Sequence, residues 1–364
     1  MRVAVVSRRD DPVSLNVYAA NMTRHIGALG VECAHFCERA AIPDSSDIVW
    51  DPALCMRRVP AVLATTSIPV VGTMHGVKAF SLPLEELVFG DEDSRFLTQL
   101  KTELIDDWRW LGRKAGAIVS VSRYGANEVQ AAFGLDPTRV HVIYNGVDRD
   151  VFTRRGDRCL RNYFLAVASA NPIKNLGRIL QAHSQIAMSP RPELIVVAPG
   201  YDKTETGGDV RVISRELSQL ELARLYRGAI ALVFPSLRET FGLPIIEAMA
   251  CGCPVLTSHD TGCAEVAGEA ALLVDPRSVR AITAGMTQIM TDRRFRRQLI
   301  VRGGNRSQSF SWSEAAERLV HVFTSVITAR RNTDLGLDTE TEDVNRRRCQ
   351  ITIEDDPAQE RASS

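Results

Sequence analysis

Short apolar runs alternate with stretches of helical period along most of the chain. Arg2 to Ser7 (RVAVVS) is a Val-rich run that ends in a polar loop, and Leu15 to Leu29 carries apolar residues at helical spacing. The chain therefore opens as strand, loop, helix. Further strand-like runs lie at Val31 to Phe36, Asp47 to Trp50, Val70 to Met74, Ala117 to Val121 and Val140 to Tyr144, with helical stretches such as Ser94 to Ala115 and Tyr124 to Phe133 between them. Asn145-Gly146-Val147-Asp148 then reads as a turn, and the polar, Arg-rich stretch from Arg149 to Arg161 marks a domain boundary.

A second alternating series follows. It runs through strand Tyr163 to Ala168, helix Leu176 to Ile186, strand Glu193 to Ala198, helix Ser218 to Arg227 and strand Ile230 to Phe234. It continues with a helix from Gly242 to Cys251, strand Pro254 to Thr257, the short run Ala271 to Val274 and helices from Arg277 onward. Strands alternating with helices imply parallel sheets covered on both faces, so the expectation is α/β, with two doubly wound domains whose strand carboxyl ends face a cleft. The first domain is expected over 1–150 and the second over 151–310. A terminal amphipathic helix over 311–330 presents Ala315, Leu319, Val322, Phe323 and Val326 on one face and packs back on the body. From 331 to 364 the chain loses aromatics and periodicity, and it reads as a disordered tail.

Composition narrows the function. The 364 residues hold 44 basic and 44 acidic side chains, with 16 against 19 up to residue 150 and 28 against 25 after it. Neither half is a strongly charged patch, which argues against a nucleic-acid partner. No apolar run approaches the ~20 residues of a membrane span. The amino-terminal MRVAVVSRRDD meets charge too early for a signal peptide, so a cytoplasmic location is expected. Eight cysteines lack paired zinc-ligand spacing and read as free thiols.

The stretch Arg238-Glu239-Thr240-Phe241-Gly242-Leu243-Pro244-Ile245-Ile246-Glu247 carries the most chemistry. It follows an apolar strand and opens a helix near Gly242 with Pro244 in the first turn, so Glu239 stands in the loop and Glu247 lies one to two turns inside the helix. Free N–H groups at such a helix start, beside a glycine that permits close approach, suit a diphosphate. Lys174, in Ser169-Ala170-Asn171-Pro172-Ile173-Lys174-Asn175 after the second domain's first strand, adds a positive charge on the same sheet edge. Blander readings compete. Glu239 can be a surface loop acid, Lys174 an exposed lysine and His75 a satisfied strand-end histidine. Glu247 can be an ordinary helix acid, although no basic residue stands at 243 or 251 to pair with it. Asp91-Glu92-Asp93 reads as a solvated loop rather than a metal site, and Trp108 and Trp110 read as helix packing.

Two glutamates eight positions apart, with FGLP between them and EAMACG around the second, resemble the signature of retaining family 4 glycosyltransferases of GT-B fold. Further matches are Ser120-Val121-Ser122, Val142 to Asp148, Lys174-Asn175, and Glu265-Val266-Ala267-Gly268 with Ala271 to Pro276. The resemblance implies that Glu239 binds hydroxyls of the donor sugar and Glu247 the nucleotide ribose. It implies that the main-chain amides of Phe241, Gly242 and Leu243 contact sugar and diphosphate, that Lys174 binds the diphosphate, and that His75 reaches the donor sugar across the cleft. His75, Glu239 and Lys174 form the expected catalytic set, with no cofactor and no metal.

The implied activity is transfer of a hexose-type sugar from a nucleotide-diphosphate donor to an acceptor hydroxyl with retention. The acceptor is open among a lipid-linked glycan, a small metabolite and a protein, and a lipid-linked glycan in polysaccharide or glycoconjugate assembly would place the protein peripherally at the inner membrane face. Rival readings are a sugar-nucleotide epimerase, a phosphorylase of the same fold, or a catalytically idle nucleotide-sugar-binding scaffold. Two positions depart from the family pattern: Asp11 to Asn16 lacks a glycine pair near Val13, and Ala168 stands where many members have arginine. Donor-base contacts are expected near Arg215 to Leu217, and acceptor contacts across Lys78 to Leu104.

Overall fold

The computed structural model describes residues 1–8, 11–54, 59–76, 105, 107–159, 162–169, 171–201 and 208–335. Within them the apolar runs form twelve strands in two parallel six-stranded sheets. The first sheet holds β1 (Arg2–Ser7), β2 (Glu32–Cys37), β3 (Ile48–Leu54), β4 (Val70–Met74), β5 (Ala117–Ser120) and β6 (Val140–Val142), in the order β2-β1-β3-β4-β5-β6. The second holds β7 (Tyr163–Val167), β8 (Glu193–Val197), β9 (Val210–Ile213), β10 (Leu232–Phe234), β11 (Val255–Ser258) and β12 (Leu272–Val274), in the order β12-β11-β10-β7-β8-β9.

Both sheets are doubly wound, because the chain leaves the first strand of each in one direction and later returns to its other side. The reversal falls between β1 and β3 in the first lobe and between β7 and β10 in the second. Crossover helices diverge at such a point and leave a crevice beyond the strand ends, which is where ligands enter folds of this kind. Burial explains the strand composition. All seven residues of β3 are buried, and Val or Ile fills most inner positions of β1 and β8.

β9 is absent from the expected strand series, since Val210–Ile213 sets the exposed Arg211 between half-buried residues at the sheet edge and so forms no apolar run. The long helix Trp312–Asp334 returns to the first lobe, where Phe323 lies 6.0 Å from Trp50 and Trp312 lies 6.0 Å from Tyr18, measured between ring centroids. Each buried aromatic of this kind is worth about 1.5–3 kcal/mol of transfer free energy, which gives the returning helix a firm seat. The helix runs to Asp334, into the range expected to be a tail, and 336–364 lie outside the described residues. The acceptor stretch Lys78 to Leu104 and the triplet Asp91-Glu92-Asp93 also fall outside them. Trp108 packs edge-on against Phe133 in the first lobe's core, 5.2 Å between ring centroids. Among the described residues no helix is long and apolar enough to cross a membrane.

Candidate active site

The two loops at the β7/β10 switch point are fastened to each other before any side chain reaches the cleft. After β7, Asn171 accepts a hydrogen bond from the Ile173 amide at 3.0 Å and starts a single 3-10 turn, Pro172–Lys174. Asn175 then takes a left-handed conformation at φ 60, which asparagine tolerates better than most residues. Its buried amide donates to the carbonyls of Pro235 at 2.8 Å and Pro276 at 2.6 Å, and the Leu237 amide donates to the Ile173 carbonyl at 2.8 Å. The lysine loop is thereby tied to the loop that follows β10.

These ties set Lys174 and Glu239 in contact. The Lys174 ammonium donates to Glu239 Oε2 at 2.5 Å, with 24% and 13% of the two side chains exposed, so the pair is reachable from the cleft but largely desolvated. Lys174 Nζ also lies 5.1 Å from the centroid of the Phe234 ring. Gly242, at φ +84, turns the chain into helix Leu243–Ala250. A Cβ there would lie 3.1 Å from Ile245 Cδ1 and 3.3 Å from the Phe234 ring, so a side chain would be both strained and tight against the turn. The helix start has no side-chain cap and holds Pro244 in its first turn, so its positive end is aimed at the same edge. The Phe241 ring is buried against Tyr144 and Phe310, at centroid distances of 6.3 and 5.6 Å, which fixes the backbone between Glu239 and the helix. Leu243 is half-buried at the first helical position.

Glu247 stands apart from this pair. Its Oε2 accepts a hydrogen bond at 3.1 Å from the hydroxyl of Tyr226, a fully buried residue on helix Gln219–Gly228. Burial pushes the Glu247 carboxyl up to about 7, opposed by the Tyr226 bond, while burial and the nearby Glu247 charge hold the Tyr226 hydroxyl well above its usual range. Tyr226 carried no signal in the sequence, where it occupies an ordinary apolar position of a helix.

His75 reaches the cleft from the end of β4. Its Nε2–H donates to the Pro52 carbonyl at 2.8 Å, and its ring meets Tyr18 edge-on at 4.6 Å. The next residue, Gly76, has φ +129 and lies so close to Thr240 that any side chain would run into the Thr240 hydroxyl. Gly125 abuts the Thr240 methyl in the same way. His75 and Glu239 therefore occupy facing walls, each one residue removed from a point where the lobes touch.

Other contacts escaped the sequence. Arg8, at the first lobe's switch point, makes a bidentate pair with Asp51 at 2.8 and 2.5 Å and bonds Glu38 at 2.6 Å. Arg238 forms an ion pair with Glu128 across the lobes and lies 5.2 Å from the Tyr124 ring centroid. Arg215 pairs with Glu221 at 2.6 Å on the surface. Asp11 to Asn16 leads into helix Val13–Ala28, which starts without a side-chain cap and exposes Val13, so side chains stand where the family's glycine pair would leave bare backbone. Ala168 is buried at the end of the first strand of the second lobe. Cys251, Cys253 and Cys263 are buried thiols, and among the described residues no trio of His, Cys, Asp or Glu is grouped to hold a metal ion.

The sequence matches two family descriptions in tandem. Residues 38–151 match Glycosyltransferase Family 4, and residues 159–306 match Glycosyl transferases group 1. O-antigen chain mannosyltransferase B of Escherichia coli is 27% identical over 275 residues, covering 70% of this chain and 69% of that protein. The MMP alpha-(1->4)-mannosyltransferase of Mycolicibacterium hassiacum is 32% identical over 245 residues, covering 60% of this chain and 58% of its own length. Among solved structures, sucrose-phosphate synthase from Thermosynechococcus elongatus superposes with a TM-score of 0.72 at 17% identity, covering 90% of this chain and 99% of that one. Two facing doubly wound lobes, with one family description matched on each, make the chain a GT-B member of the family 4, group 1 glycosyltransferases.

Proposed function

We propose that the protein transfers a hexosyl group from a nucleoside-diphosphate sugar to an acceptor hydroxyl with retention of anomeric configuration. The observation that carries this reading is the Lys174–Glu239 pair at the β7/β10 switch point, beside an uncapped helix start. A cation and a helix amino end suit a diphosphate, and the adjoining carboxylate suits sugar hydroxyls. When the glycosyl–oxygen bond breaks, its electron pair passes to the leaving diphosphate. Lys174 and the amides of Phe241, Gly242 and Leu243 stabilise that charge, so the site works without a metal. The acceptor oxygen bonds to the anomeric carbon from the face of the leaving group, and its proton passes to a diphosphate oxygen. Glu239 orients the sugar, His75 meets it from the opposite wall, and Glu247 receives the ribose hydroxyls.

The Escherichia coli and Mycolicibacterium hassiacum relatives are mannosyltransferases by name, one of them for O-antigen chains, which favours mannose as the hexose and a growing glycan as acceptor. A lipid-linked glycan would bring the work to a membrane surface. Helix Arg293–Ser307, with six arginines and no acid, supplies charge for peripheral contact with anionic lipid there.

The test is a panel of guanine- and uracil-linked diphospho-mannose and diphospho-glucose, screened first by thermal shift. A bound donor at 100 times Kd adds ~2.7 kcal/mol of stability. Product analysis with glycan acceptors follows. Nucleoside diphosphate released only with acceptor present, and an α-linked product from an α-linked donor, are expected. Donor interconversion without release would overturn the reading.

A further inference from the structure

We propose that Glu265 is a positioning residue whose carboxylate fastens the two lobes in the closed arrangement and thereby sets where Glu239 stands. The proposal rests on the transferase reading for its catalytic consequence, while the fastening itself is a property of the fold.

Glu265 belongs to the second lobe, on helix Gly262–Ala267, yet its carboxylate accepts hydrogen bonds from Arg123, Tyr124 and Tyr144 of the first lobe. Oε1 accepts from the Arg123 amide at 2.8 Å and from the Tyr144 hydroxyl at 2.7 Å, and Oε2 accepts from the Tyr124 amide at 2.7 Å. Arg123 and Tyr124 are the first two residues of helix Arg123–Phe133. Ser122 caps the third amide of that helix, Gly125, at 2.9 Å, and Ala126 makes the first i→i−4 bond of the ladder, to the Ser122 carbonyl at 2.9 Å. A helix start has four amides without intrahelical partners, and here two of them are satisfied only by the other lobe. Separating the lobes leaves both to water and removes a negative charge from the positive end of the helix.

The same helix of the second lobe reaches the donor loop. Its first residue, Gly262, donates from its amide to the Glu239 carbonyl at 2.8 Å, three residues before Glu265. One turn of helix thus connects the first lobe to the backbone of the residue expected to hold the sugar. Tyr144 adds a second route, since its ring packs 6.3 Å from Phe241 while its hydroxyl serves Glu265. Burial and that bond push the Tyr144 hydroxyl up to about 12, so it stays a donor at neutral pH. The neighbouring contacts, Arg238 with Glu128 and Thr240 between Gly76 and Gly125, hold the same loop on its other side.

The experiment uses the full-length protein and the variants Glu265→Gln, Glu265→Asp and Tyr144→Phe. Glutamine keeps the shape but turns one acceptor into a donor facing an amide. Glu265→Gln is expected to lower kcat by about tenfold or more. The affinity for UDP or GDP alone should stay within about twofold, because those ligands sit on the second lobe. Amide exchange at Arg123 and Tyr124 should rise about tenfold while β7 and β10 stay protected. Glu265→Asp should recover part of kcat, and Tyr144→Phe should fall between Gln and the parent. Parental kcat in Glu265→Gln, or parental exchange at the two amides, overturns the proposal, and so does loss of nucleoside diphosphate affinity in step with kcat. If the parent transfers no sugar at all, the transferase reading fails, and the exchange data alone decide whether Glu265 fastens the lobes.

Discussion

At the first lobe's switch point, β1 and β3 deliver Arg8 into a bidentate pair with Asp51, with Glu38 as a further partner. At the second lobe's, β7 and β10 deliver Lys174 to the single carboxylate of Glu239. The two edges are topologically alike and differ in charge. Among the described residues two acids surround one cation at the first edge, and Arg8 and Asp51 are shut away with 4% and 0% of their side chains exposed. One acid against one cation leaves the second edge neutral, partly open and next to a helix start. A diphosphate is repelled by the first arrangement and drawn to the second. Fold alone supplies two crevices, and the count of carboxylates selects which one suits an anion.

The largest effect that sharpens this contrast is structural. Arg8→Met takes the cation away from the buried carboxyl of Asp51 and is expected to cost about 3–5 kcal/mol of unfolding free energy in a urea titration. Affinity for a nucleoside diphosphate should stay near the parent's. Intact stability with lost nucleotide binding would break the comparison, because it would make Arg8 a ligand-binding cation.

The next effect is catalytic and falls on the other edge. Lys174→Ala and Glu239→Gln should each reduce kcat about 10²–10³-fold, as loss of a group stabilising developing charge commonly does. Each change removes the ion pair from side chains only 24% and 13% exposed, so a stability loss of about 1–3 kcal/mol is expected beside the catalytic effect. Calorimetric titration with nucleoside diphosphate separates the two roles: Lys174→Ala weakens that ligand, whereas Glu239→Gln leaves it bound and loses the sugar.

How far the sequence foretold this picture follows from which interactions are local. Strands buried on both faces write themselves as apolar runs, so the two sheets were legible from β1 to β12 apart from β9, whose four residues include an exposed arginine. Glu239 and Lys174 were legible as chemistry in loops, but their contact depends on β10 lying beside β7, a pairing that no local pattern encodes. Arg8, Glu38 and Asp51 lie 30 and 43 positions apart in two of their pairings, and each is unremarkable in its own stretch. Glu265 stood inside a recognised motif without a role, because its partners lie 121 to 142 residues earlier in the chain. Glu247 looked like a residue poised for ribose, and only its burial in the folded chain shows that its charge changes at about pH 7.

That dependence gives the smallest effect and the finest division of the second edge. With its carboxyl at about 7 when folded and near 4.5 when unfolded, Glu247 binds its proton more tightly in the folded chain. Its contribution to stability is therefore greatest at low pH, declines as pH rises from about 4.5 to about 7, and is flat above that. Glu247→Gln should remove this slope in urea titrations across the range. Nucleotide binding should run the other way, strengthening as the carboxylate ionises and becomes a full acceptor for ribose hydroxyls, with a midpoint at about 7. The Tyr226 bond favours the ionised form, so Tyr226→Phe should move that midpoint upward, by less than about one pH unit for a single hydrogen bond worth about 1 kcal/mol. A midpoint that stays put in Tyr226→Phe, or binding that is flat with pH in the parent, would separate Glu247 from the ribose and leave Lys174, Glu239 and His75 as the side chains that meet the donor.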